Sequence, residues 1–406
     1  MQVPQIIPVT RGGARIGWES LLKALENAYF VAVDTEFSGL GDVKLLYGNC
    51  LSEKYSGLKQ IVSNRAIFSV GFSIFSAADT CSAEESLKAL KGQTTEFEEN
   101  QKPPCKFYVT TFDFLFLPSD DFMISPSSAT FLVRHGFDFA RLFLDGIYYT
   151  RPTFNRDYQL LKTYKTCTLE RKHSSDSRKK TKKRKKKDNS ELFLELSTTE
   201  ETKPDKSSLL SILPLGLLVH LGQTDIPIVF HNGLLDLAFL YSCFEDNLPE
   251  SCEEFVKNLR QLLPHIYDTK CLSCDQDSEK ETSLDTVYQL CVSWNQKQKS
   301  NDETFIQCWT PDNIPSRLET APTPLFKGNP NFHEMENSYE KIVENSEIPS
   351  GWNGVNNVFA HSDHSAGYDA FCTGYIFATY LHSKGLSYLT KQRNSIYLSR
   401  FKSLSL

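Results

Sequence analysis

No stretch of this chain is both long enough and apolar enough to span a bilayer. The longest apolar run, LLSILPLGLLVHLG (209–222), is interrupted by Pro214 and falls short of the roughly 20 residues a spanning helix needs. The opening MQVPQIIPVTRGG lacks the apolar core of a secretory leader. The expectation is a soluble protein with no membrane partner, whose 11 Cys stay reduced in the nucleus or cytosol. A positive charge balance is also missing. The formal net charge is −6, which is not the profile of a general nucleic-acid binder. Cys271 and Cys274 make one C-x-x-C, but Cys291 and Cys308 do not repeat it, so free thiols are expected rather than a closed zinc site. No internal repeat is present.

What charge there is, is segregated. RKKTKKRKKK (178–187) is cationic at all but one position, so the rest of the chain is strongly acidic. Such a run reads first as a nuclear address and second as a salt-sensitive contact to nucleic-acid phosphates.

The hydrophobic pattern is that of an α/β protein. GWESLLKALENA (17–28) has helical spacing and is followed by the strand FVAVD (30–34). AIFSVGFSIF (66–75) and KFYVTTFDFLFL (106–117) read as further strands. SSATFLVRHGFDFARLF (127–143) reads as a helix with Phe131, Leu132 and His135 on one side. Helical pattern returns in 206–221. IPIVFHN (226–232) then reads as a strand, GLLDLAFLYSCF (233–244) as a helix and HIYDT (265–269) as a short strand. AGYDAFCTGYIFATYL (366–381) is the strongest helix, with Ser365 as its N-cap. Polar, charged composition marks 151–205 as an insertion with a disordered interior, and 275–357 as a long insertion with little core. The layout is therefore 1–150, 206–274 and 358–406 as one α/β sandwich, interrupted by 151–205 and 275–357.

Four segments carry candidate chemistry. Asp34 and Glu36 sit two apart on a strand, so both side chains leave one face while Val31 and Val33 fill the other. Two carboxylates at a strand end are hard oxygen ligands suited to Mg²⁺. Gly39 would let the chain turn there and bring a substrate backbone close. Asp236 falls in the first turn of the helix after IPIVFHN, with Asn232 as its N-cap or as a contact to RNA. Asp369 falls in the first turn of the last helix. His364, five residues earlier, has the pKa range to take a proton from an attacking water. His361 lies nearby at a different spacing. HIYDTK (265–270) is a supporting segment. Phe37 would stack on a terminal base or pack in the core. Taken singly, each acid has a bland reading as a solvated strand end or a helix cap. As an ordered set they would hold two metals roughly 4 Å apart around a scissile phosphodiester.

DTEFSGL, HNGLLD, YDTK and HSAGYDAF closely resemble the DEDD-type deadenylases of the poly(A)-specific ribonuclease (PARN) and CAF group. The position of His364 resembles the His subtype. FLVRHGFDFARLFLDGIYY, LVHLGQTDIPIVFHNGLLDLAFLY and GYDAFCTGYIF resemble its nuclear, Cajal-body "target of EGR" branch. The likeness covers roughly 1–150, 190–275 and 355–400.

The resemblance implies a ribonuclease-H-like exonuclease fold with a mixed central sheet. It implies Asp34, Glu36, Asp236 and Asp369 as ligands of two Mg²⁺ and His364 as the base. It further implies 3′→5′ removal of adenosines or short extensions from RNA with a 3′ poly(A) or oligo(A) tail, small nuclear RNA among them. The family includes dimers, which makes a homo-oligomer possible, but no interface signature is present in the sequence and the oligomeric state stays open. The interval 271–360 lacks the CCCH zinc-finger spacing of that branch, and the basic run sits earlier than the branch places it. Two other readings stand beside this one: an inactive RNA-binding scaffold, and a DNA 3′-exonuclease of the same fold.

Overall fold

The computed structural model describes residues 5–94, 103–152, 217–274, 282–301, 304–311, 365–398 and 402–406. The basic run 178–187, His361 and His364 lie outside the described residues.

The centre is a mixed sheet of eight strands: β1 (Ile6–Val9), β2 (Phe30–Phe37), β3 (Ile67–Ala77), β4 (Lys106–Pro118), β5 (Ile147–Tyr149), β6 (Ile228–Phe230), β7 (Ile266–Asp268) and β8 (Gln307–Trp309). Its main path runs β1-β4-β3-β2-β6-β7, with β5 and β8 also pairing with β4. β4, β3 and β2 are antiparallel neighbours, and β2, β6 and β7 are parallel. This is the mixed sheet flanked by helices that the resemblance implied. β9 (Ser395–Leu398) and β10 (Lys402–Ser405) form a separate hairpin.

Twelve helices are described. They are α1 (Ala14–Glu26), α2 (Leu51–Ser63), α3 (Thr80–Leu90), α4 (Pro126–Arg134), α5 (Phe139–Asp145), α6 (Leu217–Gln223), α7 (Leu234–Phe244), α8 (Cys252–Leu262), α9 (Thr269–Ser273), α10 (Leu284–Ser300), α11 (Ala366–Ser383) and α12 (Leu386–Lys391). None is long and apolar enough to cross a membrane.

The first nine positions of β3 are all buried, as expected of a central strand covered on both faces. On one face Val31, Val33, Phe72 and Phe114 meet α1, α2, α7 and α8. On the other, Phe30, Ala32, Phe75 and Phe107 meet α11 through Phe371, Tyr375 and Phe377.

The structure departs from the sequence reading at three places. Residues 127–143 are two helices, because the chain turns at Gly136 (φ 83°) and Asp138 caps a new start. Leu132 is buried while Phe131 is 56% exposed, so the two do not share a side. Residues 284–301 and 304–309 are not loose insertion. Val287, Tyr288 and Cys291 give α10 a narrow apolar stripe that docks on α11, and β8 joins the sheet through β4. Average polarity conceals such a stripe, because three buried positions suffice to anchor five turns.

Candidate active site

The site is built across three strands. Asp34 of β2 pairs with Gly71 of β3, and Gly71 pairs with Asp113 of β4. Side chains opposite one another in a sheet share a face, so Asp34 and Asp113 flank a position that carries no side chain. That gap is filled by the start of α11. A Cβ on Gly71 would lie 1.9 Å from the Ala366 carbonyl oxygen. Glycine here lets the helix start rest directly on the sheet, which brings Asp369, one turn further on, over β2. Ser365 caps the helix, its hydroxyl accepting from the Tyr368 N–H at 3.2 Å.

Asp34, Glu36 and Asp369 consequently converge, with carboxylate oxygens all within 4.8 Å of one another. Among the described residues, no hydrogen-bond donor is directed at any of these three carboxylates. Their electrostatics reflect this. Burial, then the charges of Asp236, Asp369, Glu36 and Asp113, hold the Asp34 carboxyl well above the usual carboxylate range. Burial, then Asp369, Asp113 and Asp236, push Glu36 up to about 8. Burial, then Asp113 and Asp285, push Asp369 up to about 7. Crowded acids without donors need a cation to ionise together, and three hard oxygens at this spacing suit a divalent ion such as Mg²⁺.

Asp236 comes from the opposite helical layer, in the first turn of α7. It is buried, and the Thr35 hydroxyl donates to its Oδ1 at 2.6 Å. Thr35 lies between the two acids of β2, so one strand presents Asp34 and Glu36 on one side and grips Asp236 on the other. Burial raises Asp236 to about 6, with the Thr35 hydrogen bond pulling the other way. Asp236 stands beside the trio as a neighbour of Asp34 rather than inside its 4.8 Å cluster.

The other sequence candidates divide. Asn232 is not the N-cap of α7; Gly233 occupies that position. Asn232 instead takes a left-handed backbone (φ 61°) and gives its N–H to Asp268 Oδ1 at 2.8 Å. Its side chain is exposed. Phe37 is half-buried, with its ring stacked on Phe239 at 4.4 Å and 7°. Gly39 does turn the chain (φ 123°), but the group pressed against it is Ser128 of α4. Asp268 of the supporting segment accepts from the backbone N–H groups of Asn232, Gly233, Lys270 and Tyr397. It therefore ties the start of α7 to β7 and β9. Cys271 and Cys274 are free thiols.

Asp113 was not anticipated. Its only trace in the sequence is one acid at an inward position of the aromatic strand TTFDFLFLP.

The model of the CAF1 family ribonuclease matches residues 9–377. A poly(A)-specific ribonuclease PARN of Arabidopsis thaliana is 29% identical over 168 residues, 40% of this chain and 19% of that protein. A pre-piRNA 3′-exonuclease trimmer of Bombyx mori is 25% identical over 158 residues, 37% of this chain and 21% of that protein. The human poly(A)-specific ribonuclease PNLDC1 is 35% identical over 71 residues, 16% of this chain and 14% of that protein. The matched segments thus span about a fifth or less of these relatives' own length. The solved structure of S. pombe Pop2p in its Mg²⁺- and Mn²⁺-bound form superposes with a TM-score of 0.44 at 16% identity, over 97% of this chain and 99% of that one. With the family model spanning most of the sequence, the chain belongs to the CAF1 family of ribonucleases.

Proposed function

We propose that the protein is a divalent-metal-dependent 3′→5′ exoribonuclease that removes 3′-terminal adenosines from RNA and releases 5′-AMP. The observation that carries the reading is the convergence of Asp34, Glu36 and Asp369, without donors among the described residues, in a chain of a ribonuclease family. Two of the relatives above are named for poly(A) and one for trimming RNA 3′ ends.

Asp34, Glu36, Asp236 and Asp369 would hold two Mg²⁺ ions, which supply positive charge to the scissile phosphate and the departing oxygen. Water attacks the terminal phosphorus and the bond to the 3′-oxygen of the preceding nucleotide breaks. That oxygen leaves with a proton as a new 3′-hydroxyl. Thr35, next in sequence to the two acids, holds Asp236 against β2. His364 of the HSAGYD segment, as in the His subtype, takes the proton of the attacking water. Phe37 and Asn232 would contact the terminal nucleotide. Asn232 has an exposed side chain on a backbone fixed by Asp268. Small nuclear RNAs in the nucleus, including its Cajal bodies, are the proposed substrates, with 178–187 as the address. Phe131, Phe143 and Leu144, each more than half exposed on α4 and α5, support association of two copies.

The test is a gel assay of the full chain with Mg²⁺ and 5′-labelled RNA ending in oligo(A), beside the same RNA ending in oligo(U) and a matched DNA. The expected result is a ladder shortening from the 3′ end, fastest on oligo(A), and absent in an Asp34→Ala/Glu36→Ala variant. Faster shortening of DNA would replace the RNA reading. Tight binding without shortening under any divalent ion would replace the enzyme with a scaffold.

A further inference from the structure

Asp113 has no place in the metal set just described, yet it lies in the same row of the sheet, one strand beyond Gly71. Both of its oxygens are engaged by the protein. Oδ1 accepts from the Ser69 hydroxyl of β3, and Oδ2 accepts from the Gly367 N–H of α11 at 3.2 Å. Burial pushes its carboxyl up, while the Ser69 hydroxyl, the Gly367 N–H and the nearby Arg141 charge and Ser365 hydroxyl pull the other way. Among the described residues, Asp34, Glu36 and Asp369 have no such protein donors. A carboxylate whose acceptor capacity is turned toward backbone and hydroxyl groups is a poor metal ligand and a good clamp.

What it clamps is specific. Ser365 and Gly367 stand on either side of Ala366, whose carbonyl rests on Gly71. A Cβ on Gly367 would come 2.9 Å from Ile6 Cγ2 and 3.2 Å from Asp113 Cβ, so the helix start is pressed onto β1 and β4 as well. Ser365 directly follows His364, and Asp369 lies two residues beyond Gly367. One side chain of the sheet thus fixes the start of the helix bearing the last acid.

We infer that Asp113 is a positioning residue for the 3′-exonuclease reaction, holding Asp369 in register with Asp34 and Glu36 through Gly367 and the start of α11. The inference rests on the proposed function above. Asparagine should largely replace it. Its carbonyl can still accept from Gly367, and the Ser69 hydroxyl can rotate to accept from its amide.

The test compares wild type, Asp113→Ala and Asp113→Asn on oligo(A) RNA across a Mg²⁺ titration, with thermal melting as a control for folding. For Asp113→Ala the expected loss is about 10²-fold in kcat, the scale of a small misplacement of reacting groups. RNA KM and the Mg²⁺ midpoint should stay near wild type, and Asp113→Asn should recover most of the rate. An Asp113→Ala variant as fast as wild type overturns the inference. So does an Asp113→Asn variant as slow as Asp113→Ala with a raised Mg²⁺ midpoint, which would make Asp113 a source of charge for the metals. An inactive wild type would instead count against the exonuclease reading itself.

Discussion

Two sets of carboxylates lie two strands apart in the same sheet, and they are built in opposite ways. At the end of β7, Asp268 receives four backbone N–H groups from three different elements. At the end of β2, Asp34 and Glu36 receive none among the described residues and face further acids instead. The first arrangement satisfies a buried anion with the protein's own donors and holds the fold together. The second leaves the acids without donors, so they can all ionise only at an electrostatic cost that an outside cation relieves. Residue type is the same in both; the distribution of donors separates scaffold from site.

The comparison can be broken from either side. The largest effect is expected on activity. Asp34→Ala/Glu36→Ala should reduce 3′-shortening by roughly 10³-fold or more, beyond the loss of a single proton-transfer group. The metal-free variant should melt no lower than wild type at pH 8, because mutual repulsion is removed. Asp268→Ala should do the reverse, costing about 3–5 kcal/mol by leaving buried N–H groups without an acceptor. Denaturant unfolding would show this, and the residual folded protein should keep its Mg²⁺ affinity.

A third test uses pH. Asp236, Asp369 and Glu36 titrate in the folded protein near about 6, 7 and 8, above the ordinary carboxylate value of about 4 in an unfolded chain. The folded state therefore holds extra protons between those limits. The stability these groups contribute is complete below about 4 and is lost as pH rises through their folded values. Metal-free melting temperature should accordingly fall between pH 6 and pH 8.5, and Mg²⁺ should restore progressively more of it toward the alkaline end. Equal stabilisation by Mg²⁺ at both ends would contradict the assigned ligands. The smallest effect is expected from Thr35→Val, which removes the hydroxyl on Asp236 and should weaken Mg²⁺ about tenfold, as for the loss of an outer-shell partner.

The parts legible from sequence were those with local periodicity. The alternation of FVAVDTEF places Asp34 and Glu36 on one face, and the aromatic stripe of 366–381 with its Ser365 cap places Asp369 in a first turn. What was not legible depends on register between distant strands. Asp113 becomes part of the site only because Gly71 pairs with it on one side and with Asp34 on the other. Asn232 has the composition of an N-cap, yet Asp268, 36 residues away, draws its N–H into a left-handed turn. β1, four residues long, is a strand only because β4 offers it a parallel edge. In each case the deciding partner lies far off in the sequence.

The most direct test of the account is calorimetric titration of Mg²⁺ into wild type, Asp34→Ala/Glu36→Ala and Asp268→Asn at pH 7 and pH 8.5. Wild type and Asp268→Asn should bind Mg²⁺ with release of protons, more at pH 7 than at pH 8.5, while the double variant binds none. Equal binding by the double variant, or no binding by wild type, would contradict it.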